Sequence, residues 1–166
     1  MGVIGYGHWG PNLVRNFHSC PNVQVAAVCD RDPKRLAHAR ERYPGTRMGD
    51  RAEEVTGDPT IDAVAIATPV ASHHALARAA LEGGKHVLVE KPFVRSIAQA
   101  LDLLDLAAAR GRILMVDHTY LYAPAVEALR DLVARGELGK VLYAYSSRLN
   151  LGIFQPDVNV VWDLAP

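Results

Sequence analysis

Residues 5–10 read Gly-Tyr-Gly-His-Trp-Gly, directly after an apolar run at 2–4 and directly before a stretch opened by Pro11. No other feature narrows the fold as much. The first glycine of such a hexapeptide permits a tight turn, the second lets backbone approach a pyrophosphate, and the third lets helix and strand pack closely. The following helix then presents unpaired N–H groups and the positive end of its dipole. The setting is strand, turn, helix, so Gly5, Gly7 and Gly10, with His8 and Trp9 between them, are candidate dinucleotide-binding residues. A glycine turn of purely structural purpose is the alternative.

The rest of the chain repeats that alternation. Short apolar runs at 2–4, 23–29, 63–67, 86–89 and 113–116 are too short for helices and end in polar or turn residues, which makes them candidate parallel strands. Helical stretches lie between them. Asp32 with Pro33 marks an N-cap and first turn, and Ser72 precedes the apolar positions Ala75, Leu76 and 79–83. Ser96 and Gln99 suggest a capping box, Ile97, Leu101, Leu104 and Ala108 share a face, and Gly111 closes that helix. The expected fold is α/β, a doubly wound parallel sheet over residues 1–121. After Leu121 the pattern changes: a helix over 124–134 leads into a long strand-like run at 141–150. Residues 122–166 therefore read as the first, incomplete elements of a second α+β domain.

Charge excludes several partners. Lys plus Arg equals Asp plus Glu at 18 each, so no field favours nucleic acid or an acidic membrane, and the expected partner is a small molecule. Two cysteines, Cys20 and Cys29, have no ligand spacing, which points to a reduced protein without structural metal. No window approaches the ~18 apolar residues of a membrane span. A cytoplasmic protein is expected.

Asp30 ends the second strand-like run, where the dinucleotide fingerprint places an acid to accept adenosine ribose hydroxyls. A carboxylate there repels a 2′-phosphate and favours NAD, while Arg31 beside it could stack on adenine or hold the extra phosphate of NADP. Thr68 and Pro69 close the next strand, on the side where open α/β sheets bind ligands, and His73 and His74 begin the helix after it. Glu90, Lys91 and Pro92 end the strand at 86–89. A lysine at that edge can steer or relay the proton that leaves an alcohol when its hydride goes to a nicotinamide; a solvated strand end is the plain alternative.

GYGHWGPN, the IATP segment with His73 four residues past Pro69, GKHVLVEKP and DHTYLYAPAV together resemble the Gfo/Idh/MocA oxidoreductases, over essentially the whole chain. The resemblance implies a Rossmann domain for NAD or NADP followed by a larger α/β domain with an open antiparallel sheet, which carries the substrate and often a dimer contact. It implies Lys91 at the reacting centre with Glu90 beside the cofactor. Asp163 fits the family's second-domain aspartate, and its histidine, one helical turn on, would fall just past Pro166. A piece of a longer, homo-oligomeric enzyme, without turnover by itself, is the expectation.

His118, Tyr120 and Tyr122 are candidate substrate contacts, as are Arg148 and Asn150 at the end of the long run, since a guanidinium suits a carboxylate or phosphate. The RLNLG and WDLAP segments resemble family members acting on nucleotide-linked sugars, notably at the 3-position of a UDP-linked N-acetylhexosamine. The leading expectation is hydride transfer between NAD(P) and a hydroxyl of a sugar, nucleotide sugar or cyclitol. A non-catalytic NAD(P)-binding regulator of the same fold is the alternative, and Lys91 argues against it.

Overall fold

The computed structural model describes residues 1–147 and 161. The chain divides into two units, Met1–Asp117 and His118–Pro166. In the first unit six strands pair in parallel: β1 (Gly2–Ile4), β2 (Ala27–Cys29), β3 (Arg47–Gly49), β4 (Ala63–Ile66), β5 (His86–Val89) and β6 (Leu114–Val116). Their order is β3-β2-β1-β4-β5-β6. The winding direction therefore reverses between β1 and β4, the place where sheets of this kind leave a crevice for ligands. This is a Rossmann-type doubly wound sheet.

Alternation along each strand builds a core on both faces. Ile4, Ala27, Cys29, Val64, Ile66, Val87 and Val89 join Ala77, Ala80 and Leu81 of α4 (His73–Glu82) and Leu103 and Ala107 of α5 (Ile97–Arg110). On the other face Val3, Val28 and Ala65 meet Leu13 and Val14 of α1 (Gly10–Ser19) and Ala39 of α2 (Pro33–Arg42). A short α3 (Glu53–Thr56) precedes β4.

Helix ends follow local chemistry. The Asp32 side chain accepts from the Lys34 N–H at 2.9 Å, and Gly111 takes the left-handed conformation, φ 60°, after α5. Ser96 accepts from the Gln99 N–H, but the Gln99 side chain reaches back to the Arg95 N–H, one residue short of a reciprocal box. Ser72 makes no cap bond; its hydroxyl lies 2.8 Å from both the Pro69 carbonyl oxygen and Thr68 Oγ1 instead.

Several expectations are corrected. The buried stripe of α5 is Leu103 and Ala107, with Ala100 and Leu106 against the core, whereas Ile97, Leu101 and Leu104 are exposed. That helix carries two adjacent apolar stripes, and periodicity alone does not say which one meets the sheet. In α4 the buried positions are His73, Ala77, Ala80 and Leu81, not Ala75 and Ala79. The second strand is only Ala27–Cys29, and the edge strand β3, Arg-Met-Gly, carries no apolar run to reveal it.

The second unit holds a 3-10 turn at Thr119–Tyr122 and α6 (Pro124–Ala134), the helix expected there. Residues 141–147, read as the opening of a long strand, form none. A strand needs a neighbour to take its backbone N–H and C=O groups, and the described residues of this unit provide no pairing partner.

Candidate functional site

Register brings the sequence-predicted residues together. Ile4 pairs with Cys29 and with Ile66, Ile66 with Val89, and Val89 with Val116. The residues that follow each of these, Gly5, Asp30, Ala67, Glu90 and Asp117, therefore leave the sheet along one edge, around the point where the winding reverses.

The glycine turn separates internal needs from external ones. Gly5 sits at φ +97°, and a Cβ there would lie 2.5 Å from the Ala67 carbonyl oxygen. A Cβ on Gly10 would collide with the Gly5 carbonyl oxygen. Both glycines are demanded by the protein's own packing. Gly7 is not: the nearest atom to its missing Cβ is Arg35 Nη1 at 3.3 Å, the far end of a flexible side chain. The bare backbone at Gly7, beside the amino end of α1, is a cradle that a side chain would fill and that a pyrophosphate fits. His8 and Trp9 are exposed on the same turn, with ring centroids 6.4 Å apart.

Asp30 is buried and fixed. Its Oδ2 accepts from the Tyr6 N–H at 2.6 Å and its Oδ1 from the Asp32 N–H at 2.9 Å, so the carboxylate braces the glycine turn against the end of β2. Arg35, half exposed in the first turn of α2, lies 3.5 Å from both Asp30 and Asp32 and reaches over Gly7. The sequence reading missed Arg35. The Asp32-Pro33 helix start was the available signal, because it points residue 35 back toward both aspartates. Arg31 is exposed.

His73 is fully buried, with Nε2 at 2.8 Å from the Thr68 carbonyl oxygen and Nδ1 at 3.0 and 3.2 Å from those of Pro92 and Phe93. Both ring nitrogens face backbone oxygens, so the ring ties the turn after β4 to the Glu90-Lys91-Pro92 loop. The Lys91–Pro92 peptide bond in that loop is cis. His74 points elsewhere and pairs at 2.8 Å with Asp102, which Arg78 also grips, joining α4 to α5. Those hydrogen bonds, Arg78's first, hold the Asp102 carboxyl below its usual range.

Glu90 is the unusual group. It is 9% exposed; Oε2 accepts from the Lys91 N–H at 3.1 Å, and Oε1 meets no donor. Asp117, the residue after β6, is its neighbour on the adjacent strand. Two carboxylates side by side out of water do not both ionise. Burial first, then the charge and hydrogen bond of Asp117, push the Glu90 carboxyl up to about 8, against the smaller opposing pull of the Lys91 backbone and ammonium. Cys29 is pushed up to about 11, chiefly by burial, which makes it a core residue and no nucleophile.

His118, Tyr120 and Tyr122 belong to the second unit, with both tyrosines exposed on its 3-10 turn. Arg148, Asn150 and Asp163 lie outside the described residues. Among the described residues no group of three His, Cys, Asp or Glu could hold a metal ion, and no helix is long and apolar enough to cross a membrane. An open hollow of about 460 Å³, lined by Arg47, Glu53, Glu54, Gly57 and Asp58, lies by the beginning of β3, away from the edge where the site residues gather. Its Arg47 and Asp58 pair with each other.

Known proteins match this arrangement. An oxidoreductase of Escherichia coli (strain K12), YdgJ, itself uncharacterized, is 34% identical over 98% of this chain and 45% of its own length. The UDP-N-acetylglucosamine 3-dehydrogenase of Acidithiobacillus ferrooxidans is 31% identical over 98% of this chain and 50% of its own. The crystal structure of GenD2 from gentamicin A biosynthesis, in complex with NAD, superposes with a TM-score of 0.78 at 32% identity, covering 82% of this chain and 39% of that one. The chain thus spans about half the length of the curated relatives it matches. Residues 1–118 match the oxidoreductase family described by its NAD-binding Rossmann fold, and with the glycine turn, Asp30 and the Glu90-Lys91-Pro92 loop on one sheet edge, the chain belongs to the Gfo/Idh/MocA family, whose Rossmann domain binds NAD(P).

Proposed function

We propose that the chain is the coenzyme-binding part of an NAD(P)-dependent dehydrogenase acting on a hydroxyl-bearing carbon of a sugar, nucleotide sugar or cyclitol. The observation that supports this reading is the register that brings the start of the glycine turn, Asp30 and the start of the Glu90-Lys91-Pro92 loop out of the sheet at one level. The nicotinamide, when bound, supplies the acceptor or donor of the hydride. The protein does the rest. Gly7 and the amino end of α1 take the pyrophosphate, with His8 and Trp9 flanking it. The Asp30 carboxylate keeps lone pairs for the adenosine ribose hydroxyls and disfavours a 2′-phosphate, so NAD is preferred, with Arg31 on the adenine side.

Thr68 and Pro69 line the nicotinamide half, held there by His73, and Pro92 closes the loop that presents Lys91. Lys91 takes or steers the proton at the substrate hydroxyl oxygen as the hydride leaves its carbon. Asp163 assists that transfer, and His118, Tyr120, Tyr122, Arg148 and Asn150 are substrate-binding candidates. The 3-position of a UDP-linked N-acetylhexosamine is the substrate favoured by the relative from Acidithiobacillus ferrooxidans. The full-length form is a homo-oligomer.

The test uses a form extended to the relatives' full length, in single-turnover hydride transfer with UDP-N-acetylglucosamine and NAD⁺. Lys91→Ala should slow the chemical step by about 10²–10⁴-fold, with coenzyme affinity nearly kept. An unchanged single-turnover rate would remove Lys91 from the mechanism.

A further inference from the structure

Glu90 and Asp117 follow the paired residues Val89 and Val116, so their backbones leave adjacent parallel strands at the same level; the Asp117 N–H donates to the Val89 carbonyl at 2.8 Å. The Glu90 side chain is buried, its Oε1 finds no protein donor, and Asp117 is its neighbour across the strand pair. A buried oxygen without a donor beside a second carboxyl is costly for two carboxylates and is satisfied by a carboxylic acid donating to a carboxylate. Like charges in contact, out of water, do not both ionise. The charged groups that reach Glu90 are Asp117 from β6 and Lys91 from its own loop. Ala67, Thr68 and Pro69, after β4, carry no charge, and His73 of α4 is bonded to backbone carbonyls instead.

We propose that Glu90 and Asp117 form an acid pair sharing one proton beside Lys91, and that this proton is released to solvent when oxidised coenzyme docks and retained when reduced coenzyme docks. The inference rests on the coenzyme-binding reading above and adds a role for Asp117. With the proton in place the pair carries one negative charge against one lysine ammonium. An oxidised nicotinamide brings a further positive charge to that end of the crevice, and loss of the proton supplies the matching negative charge. A reduced ring is neutral and asks for no such release. By linkage, NAD⁺ affinity rises with pH, up to tenfold per unit below the pair's midpoint, while NADH affinity stays level. Glu90 and Asp117 are positioning residues here: they act through charge at the site, with Lys91 kept as the group at the substrate.

Two measurements on the 166-residue chain test this. In the coenzyme-free protein labelled with ¹³C at glutamate carboxyls, an NMR pH titration should show one carboxyl titrating far above the others. Glu90→Gln should abolish it, and Asp117→Asn should move it down. Calorimetric titration with NAD⁺ and NADH at the midpoint, where the pair is half protonated, in buffers of different ionisation enthalpy, should then count about half a proton expelled by NAD⁺ from the wild type, none by NADH, and none by either from Glu90→Gln. The proposal is overturned if every glutamate titrates in the ordinary range, if Glu90→Gln still expels the proton, or if the pair titrates high but neither coenzyme moves it. A failure of the dehydrogenase reading looks different: proton release intact, with Lys91→Ala undiminished in hydride transfer.

Discussion

Replacing Glu90 by glutamine should stabilise the protein, and by an amount that grows with pH. The folded state raises the Glu90 carboxyl from 4.5 to about 8, so it binds that proton more tightly than the unfolded chain does. A group of this kind contributes its full stability below the unfolded value and loses it as pH rises through the folded one. The difference, 8 − 4.5, is about 3.5 units, and at 1.36 kcal/mol per unit it sets a ceiling of about 5 kcal/mol. Relaxation around the ionised pair lowers that, so about 2–4 kcal/mol is expected between pH 5 and 9.

Cys29 and Tyr6, also raised by burial, act in the same direction at higher pH, but both are common to the two proteins and cancel in the difference. The Asp58 carboxyl is held low by hydrogen bonds from Thr60 and Arg47, so its contribution is complete above the ordinary carboxylate range. The amino terminus is lowered by burial and has the opposite slope below pH 8, but it is common to both proteins and cancels in the difference. Urea unfolding of wild type and Glu90→Gln at five pH values from 5 to 9 gives that difference directly. Parallel stability curves would refute the assignment of a buried, proton-holding carboxyl to Glu90.

Leu103 is fully buried beneath α5, and Leu103→Ala should cost about 2–5 kcal/mol in urea unfolding, whereas Leu104→Ala, exposed, should change little. Gly10→Ala drives a methyl into the Gly5 carbonyl and should lower the thermal midpoint or prevent folding, as read by circular dichroism. His73→Ala leaves the carbonyls of Thr68, Pro92 and Phe93 without their partner; a loss of about 1–3 kcal/mol in stability and weaker NADH binding, followed by coenzyme fluorescence, are expected.

Much of this was legible in the sequence because backbone demands leave marks. Gly5 and Gly10 are fixed by a turn and a close approach, Asp32 and Gly111 by helix ends, and the strands at 2–4 and 86–89 by apolar runs of the right length. The rule that residues just beyond parallel strands leave a sheet at one end puts Asp30, Thr68 and Glu90 at the end where Gly5 turns. What stayed hidden depends on packing between elements. The choice between two apolar stripes on α5 is made by the sheet, not by the helix. β3 is recognisable only as the neighbour of β2. The contacts of Asp117 with Glu90, and of Arg35 with Asp30, join residues whose separation in sequence announces nothing.

The central claim is that the turn after β1 takes the pyrophosphate of NAD(H), and Gly7 is where it can be tested without disturbing the fold. Only the end of the Arg35 side chain stands near a Cβ at that position. Fluorescence titration of NADH into wild type and Gly7→Ala, with thermal melts of both, reads the two quantities separately. The account predicts an unchanged melt and affinity weakened about tenfold or more, about 1.4 kcal/mol; a variant that melts like the wild type and binds NADH equally well would contradict it.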